Sequence, residues 1–153
     1  MDAVRFQTTD DLFIRAPQKV IARRVLDLAD DASWWPGARA SGPYGYVVVR
    51  APVERFTTRV KFGAIISPVR EWEGFTWTLN AGEIVGRAEW WLERFGDGTI
   101  VHYYLDVERG PRARWRRTST CVRRHRWALR RGLNALKDAL ERVQAGEGTR
   151  RSS

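Results

Sequence analysis

The sequence predicts an α+β domain in which an antiparallel sheet is covered by one long C-terminal helix. Three observations carry this prediction. From Tyr44 to Arg109 apolar residues recur at every second position, the period of strands with one buried face. From Pro111 to Val143 the period changes to that of a helix, with apolar residues on one side of the wheel. Gly110-Pro111 lies where the two periods meet, and such a pair breaks a strand.

The elements follow in order. Phe6 to Ile14 reads as a strand with Phe6, Leu12 and Ile14 on one face. Ala16-Pro17 opens a first short helix, because proline suits the first helical turn. Val20, Ile21, Val25 and Leu28 give it an apolar edge. Asp30 or Asp31 can cap a second, very short helix through Ser33, Trp34 and Trp35, ended by Pro36-Gly37. About six strands then alternate cleanly. Phe56, Thr58, Val60 and Phe62 share one face. Phe75, Trp77 and Leu79 share another, as do Ala88, Trp90 and Leu92, and Val101, Tyr103, Leu105 and Val107. Gly96-Asp97-Gly98 is the clearest hairpin turn. On the long helix Thr118, Val122, His125, Leu129, Gly132, Leu133, Leu136, Leu140 and Val143 share the apolar stripe. Arg116, Arg117, Arg123, Arg124, Arg130 and Arg131 fall opposite. Residues 1–144 are expected to form one domain, and the small, polar residues 145–153 a disordered tail. One helix cannot fill the whole concavity of a twisted sheet, so a cavity between the two is expected, the usual setting for a small-molecule site.

Charge is unevenly placed. The net charge is +9, yet residues 1–108 carry 13 Lys and Arg against 15 Asp and Glu, and residues 109–153 carry 14 against 3. A basic segment of this kind favours an anionic neighbour such as phospholipid or nucleic acid, or serves as a solvated face. Cys121 is the single cysteine, which excludes an intrachain disulfide and a cysteine metal cluster. No secretory signal is visible, and no apolar stretch approaches the roughly 20 residues that span a bilayer. A cytoplasmic protein follows, peripheral to a membrane if its basic helix docks there. His102 and His125 are the only histidines and no carboxylate pair joins them, so no metal site is expected. Nothing calls for a cofactor.

Several stretches together carry a resemblance: Ile14-Arg15-Ala16-Pro17, Trp34-Trp35-Pro36-Gly37, the run Gly86 to Glu93, Gly96-Asp97-Gly98-Thr99, and the last helix with Leu133, Leu136-Lys137 and Leu140-Glu141. Over residues 4–143 the chain resembles the SRPBCC superfamily, the START-like helix-grip fold that includes polyketide cyclase/dehydrase and lipid-transport proteins. The resemblance implies a seven-stranded antiparallel sheet gripping the C-terminal helix, and a cavity for a lipid, isoprenoid or polyketide. It does not imply catalysis. It places Trp34 and Trp35 at the cavity entrance. The tryptophan content and the arginine-dense last helix depart from the average member.

The candidate ligand-binding residues are Trp34, Trp35, Phe56, Phe62, Trp77, Trp90, Tyr103, His125 and Leu129. Aromatic side chains on an inward face suit flat or greasy ligands; plain core packing is the alternative. His125 on the stripe is a polar group aimed at such a ligand, or a core histidine. Gly132 within the stripe marks a close approach or a bend. A candidate anionic surface comprises Arg116, Arg123, Arg124, Trp127, Arg130 and Arg131; Trp127 is alternatively covered by arginine stems. Trp91, His102 and Tyr104 point outward, joined by Phe13, and suggest a homodimer contact or cross-strand stacking. Binding of a hydrophobic small molecule or lipid is therefore the first functional reading. A polyketide cyclase, aromatase or dehydratase using His125 or Tyr103 is the second. An RNA- or ribosome-associated module using the basic helix is the third, weakened by the neutral body.

Overall fold

A computed structural model describes residues 4–53 and 58–151, with side chains to residue 147. The order is β1 (Phe6–Ile14), α1 (Gln18–Leu26), β2 (Arg39–Ser41), β3 (Tyr46–Pro52), β4 (Arg59–Arg70), β5 (Gly74–Gly82), β6 (Ile84–Phe95), β7 (Gly98–Arg109) and α2 (Thr118–Arg151). The strands form one seven-stranded sheet in the order β1-β7-β6-β5-β4-β3-β2, every pairing antiparallel. Period-2 alternation puts one set of side chains under α2. Val49, Phe62, Trp77, Trp90 and Tyr103 are all buried there, in one apolar cluster with Leu129, Leu133 and Leu136 of α2. Phe95 pairs with Gly98 across Gly96-Asp97. Gly96 has φ 57, as a two-residue hairpin turn requires.

Four expectations need correction. Ser33 to Trp35 does not form a second helix. It folds as turns, in which Trp35 N donates to Ala32 O and Ala38 N to Trp35 O, both at 3.0 Å. Asp31 does accept from Ser33 N at 2.9 Å, but proline at 36 disfavours helical geometry in the residue before it and halts the turn. Second, α2 begins at Thr118 rather than Pro111. Residues 110–117 form a turn instead, with Arg114 at φ 55. Third, α2 continues through residue 145 to Arg151, where irregular chain was expected. Val143, placed at the end of the apolar stripe, is half exposed. Fourth, β2 was not foreseen; three residues are too few to show a period. Phe56 lies outside the described residues.

Among the described residues, no helix is long and apolar enough to cross a membrane.

Candidate ligand-binding interior and its basic flank

The site is built by three adjacent strands. Register places Phe75 beside Trp90 and Trp90 beside Tyr103, so β5, β6 and β7 deliver their aromatic rings to one place. Trp77 and Trp90 meet edge to face at 4.9 Å, and Trp90 and Tyr103 at 4.8 Å. Phe75 stacks on Trp90 at 5.5 Å. From β4, Phe62 reaches Trp77 at 5.7 Å and His125 of α2 at 5.0 Å. Such pairs prefer these tilted geometries because a ring's positive edge meets its neighbour's negative face.

His125 does lie under the sheet. A hydrogen bond of 2.8 Å joins its Nε2 to Tyr103 Oη, both groups buried. Burial pushes the His125 imidazole down to about 4, against a weaker opposing pull from Asp10. Burial likewise raises the Tyr103 phenol well above its ordinary value. Both groups are therefore neutral at pH 7. Three indole N–H groups in this interior, those of Trp35, Trp77 and Trp90, are buried with no hydrogen-bond partner.

Trp34 and Trp35 stack on each other at 5.6 Å. Trp34 Nε1 donates to Arg24 O at 3.1 Å. The Trp35 ring lies against Gly132 of α2: a Cβ there would meet its ring atoms at 2.6–2.8 Å. Gly132 is thus a close approach. Both tryptophans are buried, as is Leu129. The fold brings Phe62, Trp77, Trp90, Tyr103 and His125 into one set of ring contacts, with Trp34, Trp35 and Leu129 in the same apolar cluster. Phe75 completes the set; its alternation with Thr76 already put it on the inward face.

Sequence reasoning missed Asp10. It sits on β1 in register with the inward positions Leu12 and Ile14, and is buried. Arg126 Nε donates to it at 2.8 Å, and Arg130 Nε also at 2.8 Å, its guanidinium closing the pair through NH2. Burial pushes the Asp10 carboxyl up, but the hydrogen bonds and charges of Arg126 and Arg130 outweigh it and hold it below the ordinary range.

The predicted anionic surface is divided. Arg124 is only 13% exposed and grips Glu83 through Nε at 3.0 Å, with Arg116 NH1 3.5 Å from the same carboxylate. Arg130 is committed to Asp10. Arg123, Arg131 and Trp127 remain exposed, Trp127 by 59%.

The outward cluster is also rearranged. Trp91 is opposite His102, but its ring lies over Gly74 and its Nε1 donates to Glu89 at 3.2 Å. Phe13 packs on Phe95 instead. His102 is held between Asp11 at 2.5 Å and Glu93 at 2.9 Å.

No known family model and no curated protein is similar to the chain in sequence. Solved structures are similar in fold. A START superfamily protein from Mycobacterium smegmatis superposes with TM-score 0.69 at 16% identity, over 90% of this chain and 98% of its own. The ginseng major latex-like protein 151 from Panax ginseng does so with TM-score 0.62 at 10% identity, over 89% and 97%. The Aha1 dimer from Colwellia psychrerythraea gives TM-score 0.57 at 19% identity, over 89% and 96%. These superpositions cover nearly the whole of each chain, and the seven-stranded antiparallel sheet with its long C-terminal helix is the START-like helix-grip fold.

Proposed function

We propose that the interior between the sheet and α2 binds a hydrophobic small molecule or lipid that carries a hydrogen-bond acceptor. One observation carries the reading: the indole donors of Trp77 and Trp90 are buried unpaired among the rings, and that of Trp35 is buried unpaired in the same apolar cluster. Leaving a buried donor unsatisfied costs roughly 1–3 kcal/mol each. A core under selection for stability alone would have used phenylalanine or leucine at Trp77 and Trp90. A ligand with a carbonyl, ether or hydroxyl oxygen satisfies the donors, while the ring faces desolvate its apolar body. The rings are in mutual contact, so entry displaces some of them, with a gap opening between α2 and the sheet.

Binding is favoured over catalysis by proton affinity. A general base works best with a pKa near the operating pH, whereas His125 is held at about 4. Its partner is a tyrosine that is hard to ionise.

Native mass spectrometry of the purified protein, paired with titration of the neutral probe N-phenyl-1-naphthylamine, tests this. A co-purified small molecule and saturable probe binding are the expected results. Trp77→Phe combined with Trp90→Phe should leave the fold intact and weaken acceptor-bearing ligands more than hydrocarbons. An interior that takes up neither probe nor natural ligand would refute the reading.

A peripheral membrane role has separate support from the exposed Trp127 beside Arg123 and Arg131 on α2. An indole flanked by cations suits an anionic bilayer interface. Co-sedimentation with phosphatidylserine vesicles at low salt, lost in Trp127→Ala, is the expected outcome.

A further inference from the structure

A concavity of about 310 Å³ lies at the rim of the sheet between the start of β4, the β5–β6 corner and the 110–117 turn. Among the described residues, six cationic side chains face it (Arg59, Lys61, Arg112, Arg114, Arg116 and Arg124) against one carboxylate, Glu83. That carboxylate is already engaged. Arg124 donates to it through Nε and NH2 at 3.0–3.2 Å, and Arg116 is beside it. Arg59 NH1 donates to Gly37 O at 3.0 Å. Among the described residues, Lys61, Arg112 and Arg114 have no acidic partner. Like charges gathered this way disfavour one another. The neighbouring Arg112 and Arg50 lower the Lys61 ammonium from its ordinary value.

The backbone that carries these cations is fixed. Gly110 N donates to Glu83 O at 2.8 Å and Arg112 N to Gly82 O at 3.0 Å. The Arg109 guanidinium clasps the carbonyls of Arg114 and Arg116. Arg114 itself is left-handed at φ 55, a conformation that persists in an ordinary residue only where its surroundings enforce it. The concavity is thus a pre-formed surplus of positive charge, with α2 starting close by and no acid in its first turn.

We propose that this rim concavity binds a phosphate-bearing ligand, with the phosphoryl oxygens held by Lys61, Arg112 and Arg114. A dianion matches more than one uncompensated cation, where a carboxylate matches one. Guanidinium forks fit phosphate oxygens in pairs, and lysine supplies a point charge. Glu83 pins Arg116 and Arg124 as the wall of the site. The cations converge on one hollow, which suits a single small anion. A nucleic acid strand would instead need cations spread along its backbone. The phosphate belongs to a soluble phosphate ester or to a phospholipid headgroup. This site shares no residue with the aromatic interior, so each proposal can fail alone.

Isothermal titration with inorganic pyrophosphate, at ionic strength held constant with chloride, tests the soluble source. Vesicles of phosphatidylcholine with and without phosphatidic acid test the headgroup. Saturable binding in either arm is the expected result, and the arm that responds names the source. Lys61→Gln with Arg112→Gln should weaken it roughly tenfold or more, the loss of at least one charge-assisted contact. Arg142→Gln, at the far end of α2, should not. Arg114→Gly relieves the left-handed residue while removing a charge; it should melt no lower than the parent yet bind phosphate more weakly. Uptake of N-phenyl-1-naphthylamine should be unchanged in all of them. The proposal is overturned if both arms are silent, if the double variant binds as tightly as the parent, or if only oligonucleotides bind, with affinity growing with their length.

Discussion

His125 and His102 are the two histidines of the chain, and the fold pulls their charge states in opposite directions. Burial holds His125 at about 4, below its unfolded value of about 6.5. As pH falls the unfolded chain therefore takes up this proton first. The stability that His125 contributes is full above pH ~6.5 and declines towards pH ~4, by up to ~3 kcal/mol. For His102, burial works against the charge, but the carboxylates of Glu93 and Asp11 outweigh it and raise the imidazole's pKa. Its contribution is present below pH ~6.5 and is lost as pH rises through the raised folded value. Urea denaturation between pH 5 and 8 separates the two. His102→Gln should keep the acid-side decline, and His125→Gln should abolish it. An unchanged slope in His125→Gln would show that the imidazole is not held neutral. Asp10 gives a sharper loss. Its folded pKa is depressed, so its contribution is present above pH ~4 and disappears as pH falls further. Asp10→Ala removes the shared partner of Arg126 and Arg130, which are themselves partly exposed, and should cost ~1.5–3 kcal/mol, read as a lowered denaturation midpoint. Asp10 was illegible in the sequence because its meaning depends on partners 116 and 120 positions away.

At the scale of elements, α2 lays Gly132 against the Trp35 ring, where an added Cβ would come within 2.6–2.8 Å of ring atoms. Alanine favours helix over glycine by ~1 kcal/mol, so a helix in isolation would gain from Gly132→Ala. Here the added carbon collides with a buried ring, and overpacking costs ~1–3 kcal/mol. Gly132→Ala should therefore destabilise the protein in a urea titration, and Trp35→Phe in the same chain should recover part of the loss. A stabilised Gly132→Ala would mean that the ring moves aside freely. The helical period announced α2 and its stripe correctly, from Val122 to Leu140. It could not place the start, because residues 111–117 carry the same arginine-rich composition whether helical or turned. What decides is the docking of the turn on Gly82 and Glu83, with Arg109 holding two of its carbonyls. Nor could a helical wheel tell Arg124 from Arg123. They are neighbours on the same flank, yet one meets a buried glutamate and the other meets solvent.

At the scale of the whole molecule, the last buried side chain of α2 among the described residues is Leu140. Beyond it the described side chains, to residue 147, are half-buried or exposed. We propose that the domain is complete without residues 145–153. A chain ending at Gln144 should melt within ~0.5 kcal/mol of the full protein, as changes remote from a core usually do. A larger loss would show that the end of α2 braces the β6–β7 hairpin. Alternation and helical spacing by themselves determined the strand faces, the covering helix and the aromatic character of the interior. Those patterns are local: each residue's face follows from its neighbours one to four positions away. The tertiary structure alone decided the salt-bridged Asp10 and Glu83, the Tyr103–His125 hydrogen bond, the unpaired indoles and the basic hollow at the rim. Each of these is a meeting of residues distant in the chain, and only the three-dimensional register of sheet against helix sets who meets whom.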